Sequence, residues 1–233
     1  MTIPAPQSWL LRSCFIKPWF FILPFLFFVV PVPVLLGEEA QVFQFQADRM
    51  SGSRTTGQER TVLMGNVQIH SDNLVLKADK IEISGDNNRY LECTGTVTGT
   101  DSEKGVTFQT QSLKYDRKLK IAHMEGDSVL EDKTNKVVAK ARYIEYNDPK
   151  ETAVLEISVR IFKEKLVCRS QYALYQRSEK NLFLSGFPVV YKDQDEFRAN
   201  TMKVNLDTED IIMDGSVSGA IKGKKADGTA TRP

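Results

Sequence analysis

The stretch "LMGNVQIHSDNLVLKADKIEISGD", Leu63 to Asp86, decides the fold class because apolar and polar residues alternate along it in three short runs. An alternation with period two is typical of a half-buried β-strand. Turn-forming residues separate the runs, as in "HSDN" at 70–73 and "SGDNN" at 84–88. Such clusters of small polar residues mark turns. The stretch therefore predicts consecutive strands joined by tight turns.

Two short patterns of this stretch return along the chain at a fixed period. The first is a glycine-type position near the middle of a strand-like run, and it recurs every 29 to 31 residues at Gly65, Gly95, Gly126, Ile157, Gly186 and Gly215. The second opens another run, and it recurs every 29 to 32 residues at Ala47, Ala78, Thr110, Ala141, Ser170 and Ala199. Two patterns that keep one period indicate a repeat, here about six units of roughly 30 residues.

The recurring glycines suggest how each unit folds. Glycine inside a strand marks a bulge, a bend or the close approach of another backbone. A bend at the same point of every unit would fold the sheet over on itself, and each unit would bury its apolar face against its neighbours. The sequence thus predicts an all-β protein with an elongated, folded-over sheet. A β-sandwich with chance regularity is the alternative.

The motifs also resemble a known family, the OstA-like repeat proteins. The resemblance is carried by "LMGNVQI", "LVLKADKIEI", "LECTGTV", "SLKYD" and "ARYIEYN", and it covers Gln44 to about Gly219. The chain departs from the pattern at Ile157, which replaces the fourth glycine, and at Ser170-Gln171, which replaces the fifth "AD". We accordingly expect one repeat domain over residues 40–219.

The family includes the periplasmic lipopolysaccharide-transport proteins LptA and LptC and the amino-terminal part of LptD. The resemblance, closest to LptA, implies a twisted β-jellyroll that is V-shaped in section and open at both ends. Its apolar interior is expected to hold the acyl chains of lipid A. The resemblance further implies partners of the LptC and LptD type, joined end to end through terminal strands, with self-association left open.

Residues that share the inward parity of the predicted strands are the candidate lipid-binding residues. They are Val67, Ile69, Leu74, Leu76, Ile81, Ile83, Leu91, Val97, Phe108, Leu113, Tyr115 and Val138. Alternation is equally expected of any half-buried strand, so each residue taken alone is also explained by core packing. The family resemblance favours lipid contact for the set.

No residue pattern indicates catalysis. Asp79 and Asn66 are explained as turn or corner residues whose side chains bond to nearby backbone. The two histidines, His70 and His123, have no ligand-like spacing, and neither cysteine of the predicted domain belongs to a metal-type pair, so zinc is not supported. We expect a protein that is not an enzyme and needs no cofactor.

The amino terminus predicts export. Arg12 and Lys17 precede the uncharged run "FFILPFLFFVVPVPVLL", Phe20–Leu36, and "GEEA" follows it. Residues 1–37 are read as a cleaved secretory signal or as a retained single anchor, since the apolar run has the minimum length for a span. Either reading places the remaining chain in the periplasm.

The charge balance argues against a nucleic-acid partner. The chain has 31 basic and 30 acidic residues, for a net charge of +1. A nucleic-acid interface usually needs a concentrated basic face, and only the tail at 220–233 leans basic. Cys93 and Cys168 share parity with apolar neighbours and are read as buried thiols. A disulfide between them stays open because the compartment is oxidising.

Four functions compete at this point. The leading one is a soluble, LptA-like bridge that carries lipopolysaccharide without making or breaking a bond. The second is an LptC-like component of the export transporter, anchored through Phe20–Leu36. Two readings of other classes are a ligand-free structural β-solenoid and an enzyme acting on envelope glycans. The enzyme would need clustered carboxylates on one face, whereas the acids here are scattered through turns and outward positions.

Overall fold

A computed structural model describes residues 44–55, 59–71 and 73–222. The chain divides into two compact units, Met1–Ala40 and Gln41–Pro233. The first unit lies outside the described residues, and so do the predicted signal or anchor at 1–37 and most of the predicted tail at 220–233. Within the described residues, no helix is long and apolar enough to cross a membrane.

The described part of the second unit is a single antiparallel sheet of sixteen strands. The strands are β1 (Gln44–Gln46), β2 (Arg49–Ser53), β3 (Arg60–Ser71), β4 (Leu74–Ser84), β5 (Tyr90–Asp101), β6 (Val106–Asp116), β7 (Ile121–Asp132), β8 (Val137–Asn147), β9 (Thr152–Lys163), β10 (Leu166–Gln176), β11 (Asn181–Ser185), β12 (Val189–Lys192), β13 (Asp195–Arg198), β14 (Thr201–Asn205), β15 (Ile211–Asp214) and β16 (Ser218–Ala220). A one-turn 3₁₀ helix at Asp86–Asn88 is the sole helical element of the described residues.

Strands that follow each other in the chain lie side by side from β3 to β11. Antiparallel neighbours need no long crossover, so the short polar turns of the sequence suffice to connect them. Beyond β11 the sheet divides, with β12, β13 and β16 continuing one half and β14 and β15 the other. The predicted all-β, folded-over sheet is confirmed.

Every long strand carries one irregularity near its middle, where the pairing register shifts. At four of these points, 65, 95, 126 and 157, the backbone has a positive φ, as at Gly95 (φ +99°) and Gly126 (φ +101°). It has a positive φ again at Gly186 and Gly215, directly after β11 and β15. A left-handed backbone bends the strand and strengthens its twist. We call these six points, at 65, 95, 126, 157, 186 and 215, the corners.

The two recurring patterns of the sequence meet at each corner. At Gly95, a Cβ would collide with the carboxylate of Asp79, the residue that follows Ala78. That carboxylate accepts a hydrogen bond from the backbone N–H of Thr96 at 3.0 Å. In the same way, Asn66 donates from its side-chain amide to Asp48 at 3.0 Å. The aspartates of the two "AD" pairs therefore tie the corners at 65 and 95 to the adjacent strand. At the corner glycines 126, 186 and 215 the neighbouring side chain is Gln111, Gln171 or Asn200 instead.

The corners divide the sheet into two layers. Layer A contains 60–64, 80–84, 90–94, 112–116, 121–125, 143–147, 152–156 and 172–176 together with β2, β11, β14 and β15. Layer B contains 67–71, 74–77, 97–101, 106–109, 128–132, 137–140, 159–163 and 166–169 together with β1, β12, β13 and β16.

Apolar side chains from the two layers meet in one buried cluster. Ile81 and Leu155 of layer A and Val97 and Ile161 of layer B are at most 1 % exposed. Cys93 and Cys168 are both buried free thiols, on β5 and β10, so the buried-thiol reading holds in this structure. Burial raises the pKa of each thiol to about 12.

Candidate functional site: a groove between the two layers

A cavity of about 280 Å³ lies between the layers, at the side away from the corners. Its walls are mostly apolar, with Leu76 and Phe108 contributed by layer B and Leu113 and Met124 by layer A. The strands that form it are β3 to β8. Their alternation places every second side chain in the interior, and the corner lets both halves of one strand face the same space.

Seven of the twelve predicted lipid-binding residues line this cavity. They are Ile69, Leu74, Leu76, Leu91, Phe108, Leu113 and Tyr115. Four others are buried in the cluster but do not line the cavity, and these are Val67, Ile81, Ile83 and Val97. Val67, Ile81 and Val97 lie near the corners, whereas Ile83 lies farther out on β4, directly opposite Leu91.

The inward assignment of Val138 is wrong. Its neighbours Val137 and Ala139 are each 1 % exposed and point inward, so Val138 points outward between them. The register shifts between Lys140 and Tyr143. The shift reverses which residues of β8 point inward. If the alternation is extended from the buried Ile144 back through the shift, Val138 is therefore assigned to the wrong face.

The parity rule also missed several cavity residues. Val106, Ala122, Met124, Leu130 and Tyr146 line the cavity. Met124 and Leu130 share one parity on β7 across the corner glycine, so extending the alternation through that glycine would have found both. Tyr146 shares parity with Ile144 after the register shift in β8.

Charged side chains of both signs surround the mouth of the cavity. Asp101 ends β5 in layer B, and Glu103 and Lys104 come from the turn that follows it. Arg117, Lys120 and Asp148 come from turns of layer A. Lys104 forms an ion pair with Asp148 and so joins the two layers across the mouth. The site is therefore an apolar interior with a polar rim.

A second polar contact joins the two layers beside the cavity. The Asp132 carboxylate at the end of β7 accepts hydrogen bonds from Arg177 Nε and from the Tyr175 hydroxyl, both at 2.9 Å. Asn135 donates to the same carboxylate at 2.7 Å and to the Tyr175 hydroxyl at 3.1 Å. We call these four residues the clasp.

The clasp also touches the rim, because Arg177 donates to the backbone carbonyl of Lys104 at 2.5 Å. Past the clasp the interior is packed, with Ala153, Leu155 and Leu182 at most 1 % exposed. The clasp thus stands at the boundary between an open part of the interior and a solid part.

The electrostatics of the clasp favour its ionised form. Burial opposes ionisation of Asp132, but hydrogen bonds from Asn135, Arg177 and Tyr175 outweigh that cost and hold its pKa below the usual value. The Arg177 pKa is raised in spite of burial because Asp132 and other anionic neighbours favour the cation. The pair therefore remains charged at neutral pH.

Two tyrosines that line the cavity have side chains that are largely shielded from solvent. Burial raises the pKa of Tyr115, and burial together with nearby Asp148 raises the pKa of Tyr146 to about 12. The Tyr146 hydroxyl is buried without a hydrogen-bond partner. Among the described residues, no group of three His, Cys, Asp or Glu side chains could hold a metal ion. The site is therefore suited to the binding of an apolar group.

Comparison with known proteins identifies a family whose model matches this chain. The family described as "LptA/(LptD N-terminal domain) LPS transport protein" matches residues 44–161. Among solved structures, 18 chains match. One is LptH of Pseudomonas aeruginosa, described as the LptA-homologous periplasmic component of the lipopolysaccharide transport device. It is 11 % identical, with a TM-score of 0.24, and the match covers 78 % of this chain and 96 % of that one. No curated protein matches by sequence.

Proposed function

The chain belongs to the LptA/LptD amino-terminal-domain family of lipopolysaccharide transport proteins, and from this premise we propose that it is an LptA-like periplasmic carrier of lipopolysaccharide. In this proposal, acyl chains of lipid A enter the cavity between layers A and B. The partner proteins are LptC- and LptD-like members of the same export machinery. No bond is made or broken, since the protein only shields the lipid from water.

The apolar cavity between the layers is the observation that carries this proposal. Its interior walls include Ile69, Leu76, Phe108, Leu113 and Leu130, which offer hydrocarbon contact from both layers. Transfer of acyl chains from water into such a space contributes about 0.8 kcal/mol for each buried methylene. A volume of about 280 Å³ lies at the lower limit of typical ligand pockets and suits an acyl chain better than a bulky headgroup.

The polar rim supports the same orientation of the ligand. Lys104, Arg117 and Lys120 surround the mouth together with acidic residues. A lipid whose acyl chains fill the interior would present its polar headgroup to these side chains. The clasp would then limit how far the acyl chains extend toward the later strands.

The free edges of the sheet support end-to-end bridging. Among the described strands, β1 and β2 pair on one side only, and so do β15 and β16. Unpaired edges invite another strand. Large exposed apolar side chains lie at these ends, with Met50 near the first edge and Ile212 and Ile221 near the last. Bridging would pair the last edge of one protein with the first edge of the next.

Site-specific photo-cross-linking tests lipid binding. A photoreactive amino acid would replace Leu76 or Leu113, which face the cavity, and Lys77 or Lys114, their exposed neighbours, would serve as matched controls. In envelopes containing lipopolysaccharide, we expect capture at the two inward positions and background at the two outward ones. Ile83, buried but away from the cavity, should capture less than Leu76. Equal capture at inward and outward positions would exclude the cavity between the layers as the binding site.

Two further measurements separate the remaining readings. Mass spectrometry of lipid that co-purifies with the exported protein distinguishes a carrier from a ligand-free structural solenoid, since only the carrier yields a lipid A-type molecule. Amino-terminal sequencing distinguishes the LptA-like from the anchored LptC-like reading. A start near Glu38 would exclude retention of the apolar segment at 20–36.

A further inference from the structure

The outward side of layer B carries a row of cations that do not line the cavity between the layers. Lys140 lies directly opposite Arg160, and Arg160 lies directly opposite Arg169, on the adjacent strands β8, β9 and β10. All three side chains are exposed. Because neighbouring strands are about 5 Å apart, the backbone positions of the three cations lie within about 10 Å of each other.

This arrangement costs stability unless something compensates it, because like charges directly opposite each other on a sheet are destabilising. None of the three forms an ion pair with another residue in the described part of the chain. The full row runs across layer B through Gln68, Lys77, Thr98, Gln109, Val129, Lys140, Arg160, Arg169, Val189, Arg198 and Ser218. It contains no acidic residue.

A second row beside the cations is apolar and aromatic. Val138, Phe162, Val167 and Tyr191 follow one another across β8, β9, β10 and β12. These four residues are partly exposed, and an acidic residue flanks the row at each end, Glu131 on β7 and Glu196 on β13. Two cations lie over these rings, Lys140 at 5.8 Å from the Phe162 centroid and Arg169 at 5.5 Å from that of Tyr191. The face thus presents cations together with aromatic rings, and the rings help to orient the cations.

The outward side of layer A has the opposite charge at the same strands. Tyr143 lies between Glu125 and Glu156 in the pairing of β7, β8 and β9. Burial and three glutamates, Glu145, Glu156 and Glu125, raise the pKa of Tyr143. At these strands the sheet therefore has a basic side on layer B and an acidic side on layer A. An anionic surface would attract the first and repel the second, which fixes one orientation.

We propose that the row Lys140–Arg160–Arg169, with Phe162 and Tyr191, docks the protein on a membrane surface that bears anionic phospholipid headgroups. A lipid surface fits better than a small anion because the cations form a line on a sheet face rather than a pocket. It also fits the flanking aromatic rings, which favour the boundary between headgroups and hydrocarbon. The docking surface lies outside the groove, so it does not depend on what the groove binds.

Vesicle co-sedimentation of the full chain tests the proposal. Vesicles of phosphatidylcholine alone are compared with vesicles that contain phosphatidylglycerol, and the measured quantity is the ratio of the two partition coefficients. Any affinity common to both surfaces cancels in this ratio. We expect the triple variant Lys140→Gln, Arg160→Gln and Arg169→Gln to lower the ratio about 100-fold, since each cation near an anionic surface contributes about fivefold. Raising the salt concentration should lower the wild-type ratio as well.

The matched control removes three cations from the outward side of layer A, as Lys80→Gln, Lys114→Gln and Lys203→Gln. It makes the same change in net charge and should keep most of the preference for phosphatidylglycerol. An equal loss in both triple variants, or a wild-type ratio near one, would overturn the proposal. So would a vesicle-free dimer that only the layer B variant abolishes, because the row would then bind the acidic face of a second copy.

These outcomes can be separated from those of the lipid-carrier proposal. A layer B variant that loses vesicle binding but still captures lipopolysaccharide at Leu76 would support both ideas. A groove without ligand would leave the vesicle result unchanged. Thermal unfolding of the variant checks its fold, and relief of the repulsion between like charges should leave its stability equal to or above that of the wild type.

Discussion

Arg177, in the turn after β10, donates through Nε to the carboxylate of Asp132, at the end of β7, over 2.9 Å, and this bond joins the two layers of the sheet. The Asp132 side chain is 1 % exposed and that of Arg177 is 11 % exposed. The two residues are far apart in the chain and belong to opposite layers. Their contact therefore holds the layers together on the side away from the corners.

Loss of Arg177 should destabilise the protein strongly. Arg177→Met keeps most of the aliphatic stem but leaves the Asp132 carboxylate buried without its cation. Breaking a buried pair in this way costs about 3–5 kcal/mol. We expect a loss of unfolding free energy in this range, measured by urea denaturation at pH 7.

Two variants control for packing and for charge in general. Adding Asp132→Asn to Arg177→Met removes the uncompensated charge, so the double variant should lose less stability than the single one. Lys136→Gln breaks the exposed pair with Glu164 and should change the urea midpoint little, since exposed pairs contribute little. An Arg177→Met variant as stable as the wild type would show that the clasp is not closed in solution.

We expect the free energy of unfolding to fall at acidic pH as Asp116 becomes protonated. A hydrogen bond from Arg89 leads the causes that lower the pKa of this carboxyl to about 2, from an ordinary value of 3.8. A lowered folded-state pKa stabilises the fold above pH 3.8, and that stabilisation is lost as the pH falls toward 2. Asp116→Asn should therefore flatten the fall in stability between pH 4 and pH 2, measured by urea midpoints.

Arg89→Gln should reduce the same dependence of stability on pH. The wild-type Arg89 guanidinium donates hydrogen bonds to both carboxylate oxygens of Asp116, and the variant lacks this group. If the slope between pH 4 and pH 2 is the same in wild type and both variants, the Arg89–Asp116 contact does not persist in solution.

Replacing Ile157 with glycine should stabilise the protein. Ile157 is the one corner without glycine and has a φ of +66°. A left-handed backbone costs a residue with a Cβ roughly 1–2 kcal/mol. The side chain is 51 % exposed, so its loss removes little burial. We expect Ile157→Gly to raise the free energy of unfolding by about 1 kcal/mol, measured by urea denaturation.

A glycine at Val154 is the matched control for Ile157→Gly. Val154 lies on the same strand, β9, pairs in the regular register with Leu174 and Glu145, and is half-buried. Glycine at an ordinary strand position costs about 0.5–1 kcal/mol. The two variants should thus shift the urea midpoint in opposite directions. A loss of stability in both would mean that Ile157 is not strained.

Cys93 and Cys168 should not react with thiol reagents in the folded protein. Both are buried, and burial raises the pKa of each to about 12, so little reactive thiolate forms at pH 8. In a Cys14→Ser variant, we expect no reaction with a disulfide reagent until denaturant is added, and then two equivalents. Two equivalents that appear only after reduction would instead indicate a disulfide.

Much of the fold could be predicted because its signal is local. Alternation between residues 63 and 86 predicts strands, and the recurring glycines mark the points where the backbone has a positive φ. The prediction for Val138 failed because a register shift inside β8 reverses which face each residue occupies. Such a shift depends on the pairing of neighbouring strands, and alternation within one strand does not reveal it.

The site was predicted only in part. Parity identifies inward residues, but it cannot distinguish Leu76, which lines the cavity, from Val67, which is buried near a corner. That difference depends on how far apart the layers stand at each point. The outward row of Lys140, Arg160 and Arg169 was also invisible in the sequence, because the three residues become neighbours only when β8, β9 and β10 pair.

The sequence by itself therefore determined the strands, the corners and the all-β class, since these follow from backbone preferences and a period of two. The tertiary structure alone decided where the interior stays open, where Asp132 and Arg177 join the two layers, and how the charges divide between two faces. These features arise from contacts between residues distant in the chain, and their positions depend on strand register and layer spacing.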